Sequence, residues 1–167
     1  MTRYTIWGIL LAGLPGSGIE HFLGDRFTRY ENHPGGQGYV RFFEETDQEF
    51  DLYGIEAPAE HDFLYEVASE GQPGAMILVS SDRAGTWADS LYLITVLRSC
   101  LPCVVVNTGR TDPAAMLSAL NLPPDEVLIS CDLHDPSSRK AAILAAIRHT
   151  PELAQIDGLS EKFDKTY

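Results

Sequence analysis

Basic residues are scarce in this chain of 167 residues, which has 12 Lys and Arg against 24 Asp and Glu and a formal net charge of −12. Nucleic acids and anionic membrane surfaces both require a positively charged protein surface, so this balance argues against either partner. Cysteine is also scarce: Cys100, Cys103 and Cys131 are an odd number, which favours a reducing compartment over a disulfide-stabilised fold. We therefore expect a cytoplasmic protein.

Long hydrophobic runs are lacking as well. The longest apolar stretch, residues 6–16, contains Gly and Pro and is far shorter than the roughly 20 residues that a membrane-spanning helix needs. Only Arg3 precedes it as a charged residue, so it is a poor secretion signal. We expect neither a membrane span nor a cleaved leader. The hydrophobic content of 44% is that of a folded globular domain.

Strand and helix patterns alternate along the chain. Buried strands are predicted at residues 4–12, 75–80, 103–107 and 126–131, and helices at 19–30, 59–69, 88–99, 112–120 and 135–149. Turn-forming residues at 31–38 precede two short runs, 39–44 and 49–53, which fit a β-hairpin. This order predicts a three-layer α/β sandwich: a mostly parallel six-stranded sheet with one antiparallel edge strand. We assign residues 1–150 to this domain and 151–167 to a C-terminal tail, docked or flexible.

The segment between the first strand and the first helix has the glycine spacing of a phosphate-binding loop, G-x-x-x-x-G-K-[ST]. Its candidate residues are Gly13, Gly16, Ser17, Gly18, Ile19 and Glu20. Gly13 and Gly18 supply both end glycines. Ile19, however, stands where the pattern has its lysine, and Glu20 stands where it has the magnesium-binding hydroxyl. The loop therefore keeps the backbone frame and loses the side chains that hold phosphate.

Three further partial motifs follow in order. The sequence Asp51-Leu52-Tyr53-Gly54 reads D-x-x-G, Asn107 and Asp112 bracket a degenerate [NT]-K-x-D, and Ser130-Cys131 is similar to an S-A pair. With the loop and the order of elements, these make the chain resemble the Ras-like small GTPases over residues 4–149. Within that group it resembles the prokaryotic gliding-motility type, whose partners are roadblock/LC7 proteins.

The resemblance implies a role for each partial motif. Asp51, at the end of its strand, would hold magnesium through water, and the amide of Gly54 would meet the γ-phosphate. Ile55 replaces the glutamine that orients the attacking water. Asn107 and Asp112 would read the base, but the lysine between them is missing and the aspartate is displaced. A backbone amide at Ser130-Cys131 would contact guanine.

These departures predict a disabled nucleotide site. Loss of the lysine removes a charged contact to phosphate worth about 1.5–3 kcal/mol. The Glu20 carboxylate would repel the phosphates, unless it recruits Mg²⁺ together with Asp51. We therefore expect a pseudo-GTPase with no cofactor, acting as a protein-interaction or regulatory module. The alternative is a divergent GTPase that binds GTP or GDP with Mg²⁺ weakly or in an unusual way.

The candidate partner surface is acidic. Residues 41–70 contain ten Asp and Glu residues and a single base, Arg41. This charge fits either an ordinary solvated face or a docking face for a basic partner. The resemblance implies that a roadblock/LC7-type partner would contact the hairpin and the following helix, at residues 39–69.

Two rival sites remain open. Ser17 could act as the nucleophile of a serine hydrolase-like enzyme, with His134 as base and an acid such as Asp132. Cys100 and Cys103 form a C-x-x-C, but the pair ends a helix and opens a strand, which is the reverse of a thioredoxin-type motif. We interpret this pair as structural, with Cys103 pointing into the core.

Overall fold

A computed structural model describes residues 5–24, 28–32, 36–43, 48–80, 82, 87–156 and 158–161. The strands are β1 (Thr5–Gly13), β2 (Thr28–Asn32), β3 (Gly36–Phe43), β4 (Gln48–Glu56), β5 (Ala75–Val79), β6 (Cys103–Asn107) and β7 (Leu128–Ser130). The helices are α1 (Ile19–Leu23), α2 (Asp62–Ser69), α3 (Trp87–Arg98), α4 (Pro113–Ala119), α5 (Pro136–His149) and α6 (Pro151–Ala154). A short 3₁₀ turn, Ala59–His61, leads into α2.

The strands form one sheet in the order β2-β3-β4-β1-β5-β6-β7. Strands β4, β1, β5, β6 and β7 pair in parallel with one another, whereas β3 pairs antiparallel with both β4 and β2. The mostly parallel α/β sandwich and the β3–β4 hairpin are thus confirmed. The hairpin connection at 44–47 and the turn at 33–35 lie outside the described residues.

The predicted count of six strands is wrong, because the sheet has seven. One strand, β3, runs against the others as predicted, but β2 pairs on its outer side and takes the edge position. The difference arises in the predicted helix at 19–30. Helix α1 ends at Leu23, where Gly24 takes a φ of 76° that residues with a side chain rarely adopt. Residues 28–32 then pair with β3 as an edge strand.

Alternate residues of the central strands point to opposite faces and build two cores. Ile9, Leu11 and Met76 pack on the side covered by α1, α5 and α6. Leu10 and Ile77 pack on the other side, with α2, α3 and α4. This pattern explains why the strands read as unbroken apolar runs in the sequence.

The loops at the carboxyl ends of β6 and β7 lead into capped helices. Asp112 and Asp135 cap the helices after β6 and β7: their carboxylates accept hydrogen bonds from the backbone N–H groups of Ala115 and Ser137, at 3.2 Å and 2.9 Å. Beyond α5 the chain continues into α6. Leu153 and Leu159 are buried in the core beneath α5, so the chain packs on the domain as far as Leu159.

Candidate functional site

The glycine loop joins β1 to α1 in the predicted strand–turn–helix arrangement. Gly16 and Gly18 have φ values of 80° and 98°, which side-chain-bearing residues rarely adopt. The N–H of Ser17 donates to the carbonyl of Leu14 at 2.9 Å and closes a turn within the loop. Pro15, at the tip, has no backbone N–H to offer a ligand. The frame of a phosphate-binding loop is present, with one donor fewer.

The protein's own side chains pack against this loop. Ser17 is only 5% exposed, and a side chain on Gly13 would collide with its hydroxyl. A side chain on Gly18 would collide with Leu133, from the connection between β7 and α5. Thr108, after β6, donates a hydrogen bond from its hydroxyl to the carbonyl of Ser17 at 3.4 Å. The loop is therefore held from both sides by neighbouring segments.

Ile19 occupies the position at which the phosphate-binding pattern has lysine. Its side chain is 0% exposed and belongs to the core cluster with Phe22 and Leu23. Glu20 follows it as a half-buried acid in the first turn of α1. With five residues, α1 is little more than one turn, so its dipole adds little positive potential for an anion. The start of α1 provides an apolar side chain and a carboxylate in place of a cation and a hydroxyl.

The D-x-x-G segment does not lie at the end of its strand, and the prediction that Asp51 ends the strand is wrong. Strand β4 continues to Glu56, which pairs with Gly13, whereas Asp51 pairs with Gly8 and Gly54 with Leu11. At about 3.3 Å per residue, Asp51 lies about 16 Å back along the strand from Glu56. The strand extends because apolar residues continue on both of its faces: Leu52 is buried in the core on the α1 side, and Ile55 is buried in the core on the α2 side.

In its position within β4, the Asp51 carboxylate is 1% exposed and accepts a hydrogen bond from the Tyr53 hydroxyl at 2.9 Å. The tyrosine ring covers Gly8, where an added Cβ would lie 2.9 Å from it. The structure therefore does not bring Asp51 and Gly54 to the glycine loop. The acid opposite the first loop glycine in the strand register is Glu56.

Tyr65 of α2 is a site residue that the sequence analysis missed. Its buried hydroxyl lies within 2.8 Å of the Gly13 carbonyl and 2.5 Å of the Ala57 carbonyl, and it accepts from the Ala57 N–H at 3.0 Å. Burial, reinforced by the nearby Glu56 carboxylate, raises the pKa of this phenol above its ordinary value, so it stays a neutral donor. Tyr65 thus ties the end of β1, where the loop begins, to the end of β4.

The polar groups of the predicted base-reading segment are engaged within the protein. Asn107 is 1% exposed; its side-chain oxygen accepts from the Gly109 N–H at 2.9 Å, and its amide nitrogen donates to the Thr111 carbonyl at 3.0 Å. Asp112 is exposed and serves as the N-cap of α4. Asn107 shapes the loop after β6, and Asp112 starts the next helix.

Ser130 and Cys131 lie on the neighbouring loop. Ser130 is exposed, whereas Cys131 is buried, and its backbone N–H donates to the Asn107 carbonyl at 2.9 Å. Burial raises the pKa of the Cys131 thiol. The next amide, of Asp132, donates to the Ser138 hydroxyl at 2.9 Å. Both amides are therefore already hydrogen-bonded within the protein.

A cleft of about 470 Å³ opens between these loops, at the carboxyl ends of β5, β6 and β7. Its lining is mostly polar and comprises Asp82, Thr108, Gly109, Arg110, Ser130, Cys131, Asp132, Leu133, His134 and Ser138. The backbone N–H of Arg110 donates to the Asp82 carboxylate at 3.1 Å, which joins two of its walls. Such a position, outside the carboxyl ends of parallel strands, is where ligands bind in many α/β folds.

The structure does not support the two alternative sites, the Ser17 nucleophile and the cysteine pair. The Ser17 hydroxyl is buried and has no hydrogen-bond partner among the described residues. The Asp132 carboxylate accepts from the backbone N–H of His134, not from its imidazole. Since the hydroxyl is enclosed and no base contacts it, a nucleophilic serine is not supported. Cys103 is half-buried, and burial raises the pKa of its thiol to about 12, whereas Cys100 is exposed.

Within the described part of the chain, no three His, Cys, Asp or Glu side chains group so that they could hold a metal ion. Glu20 and Asp51 therefore do not form a cluster of that kind. The described helices are all too short or too polar to cross a bilayer.

Comparison with known proteins supports the fold alone. No protein-family model matches the sequence, and no curated protein is a detectable relative. Among solved structures, the chain is similar to the small GTPase Arl6 (BBS3) from Trypanosoma brucei with the bound nucleotide analogue GppNp. The TM-score is 0.64 at 12% identity, covering 98% of this chain and 100% of that one. The chain has the fold of a Ras-like small GTPase.

Proposed function

We propose that this protein is a pseudo-GTPase, a small-GTPase-fold protein that works by binding another protein. The observation that carries the proposal is the position of Ile19. The residue that would hold the phosphates is an isoleucine fully buried in the core. No rearrangement of surface side chains would place a cation at this position. The phosphate-binding lysine is therefore replaced by a residue that the core packing requires.

The charges around the loop support the same conclusion. Glu20 lies in the first turn of α1, and Glu56 pairs with the first loop glycine. Asp82 and Asp132 outnumber Arg110 among the charged side chains that line the neighbouring cleft. A nucleoside triphosphate would bring several negative charges into this setting. Like charges at short range are repulsive by an amount that grows as water is excluded. The loop is therefore a poor binding site for polyphosphate.

The partner surface we propose includes the β3–β4 hairpin and α2, at residues 39–69, and the partner class is that of roadblock/LC7 proteins in the cytoplasm. Support comes from the acidity of this segment and from the resemblance of its elements to the switch regions of small GTPases. Because no bound nucleotide would control it, the surface is held in one state. Tyr65 contributes to this fixed state, since its hydrogen bonds hold α2 against the ends of β1 and β4.

Isothermal titration with GTP and GDP, first with Mg²⁺ and then with EDTA, tests the proposal. The denatured protein is first checked for released nucleotide. We expect no co-purified nucleotide and no heat of binding at micromolar concentrations. Bound nucleotide, or partner affinity that changes when GTP or GDP is added, would overturn the pseudo-GTPase assignment.

A second candidate, a divergent nucleotide-binding protein, is favoured by the cleft of about 470 Å³ beside the loop. The structural neighbour Arl6 was solved with a nucleotide analogue, which makes the fold compatible with such a ligand. If nucleotide binds, Ser130→Trp should block the cleft and abolish binding. Ser118→Trp, an exposed position on α4, is the matched control that should leave it unchanged.

A further inference from the structure

Large apolar side chains are exposed on one face of the domain. Among the described residues, those that qualify are Phe63 at 43% exposure, Val67 at 63% and Tyr92 at 48%. Phe63 and Val67 are four residues apart on α2, so they lie on the same side of that helix. Tyr92 comes from the adjacent α3, and its hydroxyl donates to the Asp62 carboxylate of α2 at 2.7 Å.

The surface around these side chains is acidic. The hydrogen bond from Tyr92 places the Asp62 carboxylate beside this ring and raises the pKa of the phenol. Glu66 is four residues after Asp62 on α2, so it lies on the same side of that helix. Neither α2 nor α3 before Arg98 contains a lysine or arginine. We call the surface formed by Phe63, Val67, Tyr92, Asp62 and Glu66 the α2–α3 face.

We propose that the α2–α3 face binds a basic amphipathic helix of a partner protein. This inference rests on the proposed function, because it names the chemistry of the partner that such a module would bind. An apolar stripe along one helix, flanked by a second helix, fits the apolar side of a third helix. Lysine or arginine residues bordering that apolar side would lie against Asp62 and Glu66. An acidic partner would repel these carboxylates. A purely apolar partner would desolvate them without supplying a cation.

The Tyr92 side chain is oriented before a partner binds. Tyr92 is oriented by a hydrogen bond rather than by burial, so its ring stays at the surface in a fixed direction. A side chain ordered before binding loses little conformational entropy when a partner packs on it. Aromatic side chains are also the residues that most often dominate binding energy at interfaces.

Two synthetic peptides of 18 residues provide the probe. They share one pattern of leucines on a helical stripe; the first has lysine at its polar positions and the second has glutamate. Binding of each fluorescently labelled peptide to the full chain is followed by anisotropy at 50 mM and 300 mM NaCl. We expect the lysine peptide to bind, at least tenfold more weakly at the higher salt concentration, and the glutamate peptide not to bind.

Variants locate the binding. Phe63→Ala and Val67→Ala should each weaken binding of the lysine peptide about tenfold, whereas Leu117→Ala on α4 should not change it. Glu66→Lys should weaken binding at 50 mM NaCl by about fivefold or more, and Glu152→Lys on α6 should not. Folding of each variant is checked by thermal unfolding, and all these positions except the half-exposed Leu117 are exposed.

The outcomes separate the inference from the proposed function. Equal binding of both peptides, or equal losses in the α2–α3 and control variants, would refute the inference. If this occurs while GTP and GDP give no heat, the pseudo-GTPase proposal stands with a different partner surface. If the peptide binds as expected but nucleotide also binds tightly, the pseudo-GTPase proposal fails and the face still belongs to a protein partner.

Discussion

Replacing Gly18 with alanine tests whether the glycine loop is shaped by packing. Gly18 has a φ of 98°, and a Cβ there would overlap Leu133. Two independent costs therefore apply to the Gly18→Ala variant. One arises from the backbone conformation and the other from the contact with Leu133.

The two costs can be given magnitudes. An L-residue in a left-handed conformation costs about 1–2 kcal/mol. Forcing a methyl group into a filled position costs about 1–3 kcal/mol, and the lower part of this range applies because Leu133 is half-buried and its side chain can shift. We expect the free energy of unfolding of Gly18→Ala to fall by about 2–4 kcal/mol in total.

Gly71→Ala is the matched control, because Gly71 also has a positive φ of 74° but has no atom within 4 Å of its added Cβ. The free energy of unfolding of Gly71→Ala should fall by the conformational cost only, about 1–2 kcal/mol. Urea unfolding followed by circular dichroism gives both values. In a double-mutant cycle, Leu133→Ala should relieve the second cost, with a coupling energy of about 1 kcal/mol or more. Equal losses for Gly18→Ala and Gly71→Ala, with no coupling to Leu133, would refute the reasoning.

Two further predictions concern the site, and a third concerns the cysteine pair. Tyr65→Phe should lower the free energy of unfolding by about 2–4 kcal/mol, because buried backbone groups at the ends of two strands lose their partner. Tyr92→Phe removes a hydroxyl at the surface, so it should lower the free energy of unfolding far less in the same urea titration. Ile19→Lys should not create GTP binding that calorimetry can detect, and it should lower the free energy of unfolding by about 3 kcal/mol or more, since it buries a charge. The control Ile19→Leu should change the free energy of unfolding by less than about 1.5 kcal/mol. At pH 8, Cys100 should react with a thiol reagent at least about tenfold faster than Cys103, because a pKa of about 12 leaves almost no Cys103 thiolate; equal rates before unfolding would contradict this assignment.

The parallel half of the fold could be predicted because its sequence signals are local and consistent. The apolar runs at β5 and β6 are buried on both faces, and Asp112 and Asp135 each cap a helix that begins with proline. The edge strand β2 could not be predicted, since residues 28–32 carry no apolar run and pair with β3 only through tertiary context. Gly24, which ends α1, was the signal available for that boundary.

The site was predicted less well than the fold, because short motifs do not specify strand register. The D-x-x-G match predicted Asp51 at the strand end, and only the pairing with β1 shows that Glu56 is there instead. Tyr65 and Leu133 act through contacts with residues distant in sequence, which no spacing rule encodes. A buried tyrosine does require a partner for its hydroxyl, and that requirement was a usable hint.

The retained glycine spacing is itself weak evidence for a nucleotide. Gly13 is required because the Ser17 hydroxyl lies against its Cα, and Gly18 is required by its φ and by Leu133. Both glycines are thus explained by contacts within the protein. In the G-x-x-x-x-G-K-[ST] pattern the lysine supplies the positive charge at the phosphates, and this loop lacks that charge-assisted contact. The pattern at residues 13–18 therefore reports how β1 passes into α1, and the chemistry of the loop has to be judged from Ile19 and Glu20.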